Sequence, residues 1–528
     1  MRSRYSTGLA FTAALGLLTG SSPAGAAPEV TTLTLPEALE LAVRQSFAVQ
    51  RARLQAGEAE EGERIATGGL WPQLDASAGY TRTILAADPF AGSSAGQAFA
   101  GTEAIGWLQL NEQLRTDGDP ATEPLTYAEY QQRSAAGYEA AGVAVDENAN
   151  AFLVENGFTA GLSLSQMLYD ESVFARKGVA EAASASARDA ARAQVHQTVR
   201  TVSNAFYGAL LAAEQVEVSR QSVERARDNV RDAKGRVEAG TQPPFQQLTA
   251  EVELANLETT LARAESDAED AVDGVRLAVG LPPDVKLALR GDLALPADTQ
   301  VLSAEEAVAE ALDRRPDLAQ AEDAVRSQVA SRRLAAAPLY PRLSLVGDVS
   351  INGRVPDDRT TAFVDATPED PFNVVTNDRD FFDDSFWYPT LSFGVQLTWN
   401  LFDGFATYAS MKQADLATSR ARVSVEETKL SVQIDVEQAL RDLATAQRQI
   451  QLQSQIRDRA ELNYEQIEER VHAGVSTQLD LRQASEQLDA SRFNHLQAVH
   501  DYLVARTAYL VAIGAPPLPA DVADATEN

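Results

Sequence analysis

The chain carries nearly the same text twice. GLSLSQMLYD, from Gly161 to Asp170, returns as GVQLTWNLFDG, from Gly394 to Gly404. Further along, RVEAG (Arg236 to Gly240) returns as RVHAG (Arg470 to Gly474), and AVGLPPD (Ala278 to Asp284) as AIGAPPL (Ala512 to Leu518). Upstream, LWPQL from Leu70 matches LYPRL from Leu339 at an offset of 269 positions, and TLPEALELAV matches SAEEAVAEAL at the same offset. Internal repetition constrains architecture before any local pattern does. The repeated unit reads helix, strand, strand, long helix, helix. It spans 27–284 and 303–514, with 285–302 as the link and 515–528 as a polar tail.

Residues 1–26 hold two arginines, an apolar run from Leu9 to Leu18 and a small-residue site at Ala24-Gly25-Ala26. This is the pattern of a secretory signal peptide, and the run is too short for a spanning helix. The 528 residues include no cysteine, which excludes disulfides and thiolate metal sites. A net charge of −31 argues against nucleic acid as a partner. It suits a solvated periplasmic surface or the wall of a cation-favouring pore. No later stretch is apolar for the length a spanning helix needs, so any membrane crossing falls to a β-barrel.

Four segments, about 74–85, 157–169, 342–353 and 389–402, alternate apolar and polar residues. In the second, Phe158, Ala160, Leu162 and Leu164 share one face, and Thr159, Gly161, Ser163 and Ser165 the other. In the fourth, Leu391, Phe393, Val395, Leu397, Trp399 and Leu401 oppose Ser392, Gly394, Gln396, Thr398 and Asn400. Roughly 10 residues per segment suits a tilted strand crossing a bilayer. Trp71, Tyr169, Tyr340, Trp387 and Tyr388 fall near the ends, where an aromatic girdle forms.

The helices have the other period. Val195, Val199, Val202, Phe206, Ala209, Ala213 and Val216 alternate spacings of four and three, as do Val432, Val436, Ala439, Leu443, Ala446 and Ile450. Leu254, Leu257, Leu261, Ala264 and Ala268 repeat the pattern on a returning helix. Such spacing is a coiled-coil seam. Residues 171–236 and 404–470 each extend roughly 100 Å at 1.5 Å per residue. Segments 36–69 and 246–280, end to end, nearly match one long helix, as do 303–337 and 477–513.

Four strands do not close a membrane barrel, which needs about eight. Open strand edges and half-covered seams call for further copies, and three copies supply 12 strands. The expected fold is therefore mainly α with membrane β: a trimeric 12-stranded β-barrel continued by an α-helical coiled-coil barrel. The long connections 86–156 and 354–388 are expected outside the cell.

These residues resemble the TolC-like outer-membrane efflux protein family, also called outer membrane factors, over nearly all of the mature sequence. The carrying features are LWPQL and LYPRL, LSQMLYD and LTWNLFDG, and the two RVxAG turns. The resemblance implies a homotrimer in the outer membrane of a Gram-negative bacterium, among outer-membrane lipid, with a long periplasmic extension. It implies an exit duct of a tripartite efflux or type I secretion system. Its partners would be a periplasmic adaptor (membrane fusion) protein and an inner-membrane transporter, and small-molecule efflux ranks first as cargo. Family members close the inner mouth with acidic rings after the second turn. The matching positions here are Asp480 and Gln483, so only one ring is acidic. Crowding of three carboxylates at Asp480 would raise their pKa; the alternative for Asp480 is a helix-start carboxylate. Arg236, Gly240, Thr241, Arg470, Gly474 and Ser476 mark the turns an adaptor would touch. The first turn carries Pro243, Pro244 and Gln246 where the second has Thr477, Gln478 and Asp480, so the two are unequal.

No catalytic residue or cofactor is expected. His196, His472, His495 and His500 show no ligand spacing, and no phosphate-loop, nucleophile-elbow or dinucleotide motif occurs. The cluster Asp378, Asp380, Asp383 and Asp384 reads as a hydrated loop. A periplasmic coiled-coil scaffold without channel activity remains the alternative, although it does not need amphipathic strands.

Overall fold

The computed structural model describes residues 31–85, 94–118, 122–143, 154–295, 301–367 and 370–518. The expected signal peptide and most of the polar tail lie outside the described residues. The protein is mainly helical. Its first elements are β1 (Thr31–Leu33), α1 (Leu35–Gln45), α2 (Phe47–Gly68), β2 (Gln73–Arg82), α3 (Ser94–Thr116) and α4 (Tyr127–Ala140). There follow β3 (Asn156–Tyr169), α5 (Glu171–Glu238), α6 (Pro244–Val279), β4 (Leu287–Leu289), α7 (Ala304–Arg314) and α8 (Pro316–Ala336). The last are β5 (Arg342–Val355), β6 (Thr360–Val364), β7 (Val374–Asp378), β8 (Trp387–Thr398), α9 (Ala406–His472) and α10 (Gln478–Ala512). No helix of the described residues is long and apolar enough to cross a membrane.

The chain divides into two units. The helical unit comprises residues up to Glu63, Gly178–Val329 and the chain from Asp415. It has two cores. Leu39 and Val43 of α1, Val195, Val199, Val202 and Phe206 of α5, and Val275 and Val279 of α6 make one. Ala307 and Ala311 of α7, Val432, Val436 and Leu443 of α9, and Tyr502, Leu503 and Tyr509 of α10 make the other. The seam spacing of α5 and α9 thus becomes buried packing over most of its length, and it fades at Ala213, which is exposed. Identical capping boxes start α1 and α7: the Thr34 N–H donates to Glu37 at 2.8 Å and the Ser303 N–H to Glu306 at 3.1 Å.

The segments expected as single helices over 36–69 and 303–337 are each broken. Ser46 and Arg315 adopt extended backbone between the pieces. Pro316 accounts for the second break, because proline drives the preceding residue out of the helical region. Within the link, β4 pairs in parallel with β1, Thr31 opposite Leu287.

The sheet unit comprises Arg64–Lys177 and Ala330–Ala414. Its main sheet has the order β2-β3-β5-β8, antiparallel throughout, so the outer edges of β2 and β8 are unpaired among the described residues. The register aligns one face across all four strands. Leu74 lies opposite Leu164, Ala76 opposite Leu162, Leu162 opposite Val349, and Val349 opposite Leu391. The other face aligns Asp75, Ser163, Asp348 and Ser392. The apolar face is uncovered: Phe393 is 68 % exposed, and Leu74, Leu391, Val395 and Leu397 are similarly open. In water such a face destabilises the chain; in lipid it is the expected surface.

Strand limits shift from those expected. β2 stops at Arg82 and β8 at Thr398, so 83–85 and 399–402 lie outside the ladder. The connection between β2 and β3 holds α3 and α4, and that between β5 and β8 holds the β6–β7 hairpin. Both strand-to-helix turns use their aspartate as a cap. Asp170 accepts the Ser172 N–H at 2.8 Å, and Asp403 accepts the Thr407 N–H at 2.7 Å.

Candidate docking and gate surface at the helix-hairpin turns

The two RVxAG motifs end α5 and α9 in the same way. Gly240 (φ +73°) and Gly474 (φ +75°) are left-handed, a conformation in which glycine carries no Cβ penalty. The Gly240 N–H donates to the Val237 carbonyl at 3.0 Å, and the Thr241 N–H to the Arg236 carbonyl at 2.9 Å. In the second turn Gly474 donates to Val471 at 3.1 Å and Val475 to Arg470 at 2.8 Å. This pair of bonds is a Schellman cap. The turns then differ. The Thr241 hydroxyl donates a second bond to the Arg236 carbonyl at 2.9 Å, whereas Arg470 receives its second from the Ser476 N–H at 3.2 Å.

Asp480 is the third residue of α10 and closes a capping box with Thr477. It accepts the Thr477 N–H at 2.8 Å and the Thr477 hydroxyl at 2.8 Å. These bonds, the backbone one first, together with the charge of Arg470, hold the Asp480 carboxyl below the usual carboxylate range. Within one chain its environment therefore acts opposite to the crowding expected of a ring. The T-x-x-D pattern was a legible signal of this cap. Gln483 is exposed, one turn further along α10.

The first turn lies beside the start of α10. Ala226 and Ala233 of α5, Gln242, Phe245, Gln246 and Thr249 of the first hairpin, and Leu479 and Arg482 of α10 line a cavity of about 290 Å³. The side-chain oxygens of Gln242 and Gln246 are buried with no hydrogen-bond partner among the described residues. Gln246, which replaces the acid of the second turn, thus faces the neighbouring hairpin.

Sequence reasoning missed the polar clamp further from the turns. Arg225 of α5 pairs with Asp489 of α10, and the Ser222 hydroxyl donates to the same carboxylate at 2.6 Å. The Arg225 guanidinium also lies 5.9 Å from the ring centre of Tyr464 on α9. Burial, and then Glu468, push the Tyr464 phenol up to about 12. Near this contact, Arg492 of α10 donates to Glu461 of α9 at 2.6 Å and to Gln221 of α5 at 3.1 Å. Three helices are thus tied by two arginines.

Comparisons agree with this architecture. The profile of the outer membrane efflux protein family matches residues 148–281 and 307–515. The chain is 26 % identical over 360 residues to the alkaline protease secretion protein AprF of Pseudomonas aeruginosa, covering 66 % of this chain and 68 % of that one. The CmeC outer membrane channel of Campylobacter jejuni has the same fold, with a TM-score of 0.65, 14 % identity and coverage of 93 % and 88 %. So does the open state of the MtrE outer membrane channel of Neisseria gonorrhoeae, at 0.64, 15 %, 92 % and 89 %. The chain belongs to the outer membrane efflux protein family, and its place is the outer membrane of a Gram-negative bacterium.

Proposed function

We propose that the chain forms an exit duct in which three copies close their sheets into a 12-stranded barrel, continued by a helical tunnel into the periplasm. The carrying observation is the sheet itself: among the described residues, four strands in register present one apolar face to no partner and leave the outer edges of β2 and β8 unpaired. Only lipid on that face and further strands on those edges satisfy both demands. A coiled-coil scaffold leaves the apolar face unexplained, and an enzyme needs no such face either.

Helix lengths support a duplicated unit. α5 and α9 hold 68 and 67 residues, α6 and α10 hold 36 and 35, and α1 and α7 hold 11 each. The helices also carry a seam with no partner among the described residues. Leu416, Val423 and Leu430 recur every seventh position of α9, with exposures from 57 % at Leu430 to 73 % at Leu416. A heptad stripe of this kind packs on another helix, and a neighbouring copy supplies one.

In this reading the turns at Arg236, Gly240, Thr241, Arg470, Gly474 and Ser476 receive a periplasmic adaptor, which connects the duct to an inner-membrane transporter. Asp480 forms the acidic ring of the inner mouth, with Gln483 as a neutral second ring. Small-molecule efflux is the first reading of the cargo. Protein secretion is the second, favoured by the likeness to AprF, which is named for secretion of an alkaline protease. Insertion of the detergent-purified protein into planar bilayers tests the duct. Discrete conductance steps support it, and a silent bilayer refutes it.

A further inference from the structure

One end of the main sheet carries an aromatic and ionic boundary. Tyr80 and Phe158 pack with ring centres 5.0 Å apart, Phe158 and Trp387 at 5.7 Å. Immediately beyond them Arg82 pairs with Asp357 at 2.7 Å, and Asn156 donates to Asp357 at 2.8 Å. Aromatic side chains followed by charged ones mark where lipid gives way to water. The inserted elements α3, α4, β6 and β7 all attach at this end.

They form a packed subdomain. The Trp107 indole donates to the Leu125 carbonyl at 2.8 Å, which joins α3 to the start of α4, and Tyr130 of α4 meets Phe372 edge-on at 5.6 Å. Val364 and Val374, opposite each other in the hairpin, line a 690 Å³ cavity with Leu110, Leu114 and Tyr130. Alternation turns the adjacent pair, Phe363 opposite Val375, to the other face of the hairpin. That pair is uncovered, and so are Ile105 and Leu108 on α3; all four are between 38 % and 57 % exposed.

These apolar side chains stand beyond the charged boundary, so lipid does not account for them, and a protein surface is the remaining cover. The chain's own topology says which. α3 begins twelve positions after the edge strand β2 ends, and the opposite edge strand β8 begins nine positions after β7 ends. Closure of β8 on the β2 of the next copy therefore brings the hairpin of one copy beside the α3 of the next. We propose that the outer subdomains pack copy on copy, Phe363 and Val375 of one against Ile105 and Leu108 of its neighbour, as a collar around the outer mouth of the duct. This inference rests on the trimeric reading above.

The absence of native cysteine makes the test clean. Two differently tagged chains, one Leu108→Cys and one Phe363→Cys, are co-expressed, purified in detergent and mildly oxidised; Ile105→Cys with Val375→Cys is the second pair. The collar predicts a reducible dimer bearing both tags, comprising the majority of chains able to pair, for at least one pair, and none when either tagged chain is mixed with the unsubstituted chain. The mass of the detergent-solubilised particle is measured on the same samples. A three-chain mass with no doubly tagged dimer from either pair overturns the collar alone. A single-chain mass overturns the trimeric reading and the collar with it.

Discussion

Gly514 stands with φ +76° against the end of α7, where a Cβ built on it would lie 2.9 Å from the Cβ of Arg314. Gly280 stands in the matching relation to Gln45, whose carbonyl oxygen would be 2.9 Å from an added Cβ. The C-caps of α10 and α6 therefore press into the breaks that follow α7 and α1. The left-handed backbone and the close approach both exclude a side chain. Gly514→Ala and Gly280→Ala are each expected to destabilise the protein by about 1–3 kcal/mol. Gly208 in the middle of α5 has nothing within 4 Å of an added Cβ. Gly208→Ala should instead stabilise by about 0.5–1 kcal/mol. Urea midpoints in detergent for the three variants check the contrast, and equal midpoints would refute it.

The Arg225 clamp should matter to the helical unit. Its side chain and that of Asp489 are about one-fifth exposed, so solvent screening discounts the pair. Arg225→Ala is expected to cost about 1–2 kcal/mol. A double-mutant cycle with Asp489→Asn should return a favourable coupling. A coupling of zero would refute a stabilising role for the clamp.

The Asp480 carboxyl is depressed in the folded chain, so its stabilising contribution is present above the ordinary carboxylate range. It is lost as pH falls through the depressed value. Asp480→Asn should therefore flatten the acid limb of the stability-versus-pH curve and leave the neutral-to-alkaline limb parallel to that of the unsubstituted protein. In a trimer, crowding of three such carboxylates works against the cap. Carboxyl titration followed by NMR at this position, in monomeric and trimeric preparations, separates the two effects: a higher pKa in the trimer supports a ring, and an unchanged one refutes it.

A charge in the exposed heptad stripe of α9 should act on assembly rather than on the fold. Val423→Glu is expected to leave the helical content by circular dichroism intact and to shift the particle mass from three chains to one. Retention of the three-chain mass would remove the stripe from the interface.

Much of the architecture could be read from sequence because it depends on local period. Alternation from Leu391 to Leu397 puts its apolar residues on one face of the sheet, and the spacing of Val432, Val436 and Leu443 corresponds to one buried face. The RVxAG turns were legible for the same reason, since a left-handed cap requires glycine. The break at Ser46 was not, because no proline marks it; the Ser46 hydroxyl accepts the Val49 N–H at 3.4 Å at the start of α2, and Gly280, far along the chain, packs against Gln45. Nor was the Arg225–Asp489 pair, whose partners are 264 positions apart. The helices α3 and α4 were hidden by glycine and alanine content that reads as loop; α4 depends on the Thr126–Glu129 capping box and on contact with Phe372.

The proposed duct requires sheets from several copies to form a hollow cylinder in lipid. Single-channel recording of the detergent-purified protein in planar bilayers, paired with its mass in detergent, tests it most directly. A three-chain particle giving discrete conductance steps is the predicted result; a water-soluble single chain that leaves the bilayer silent would contradict it.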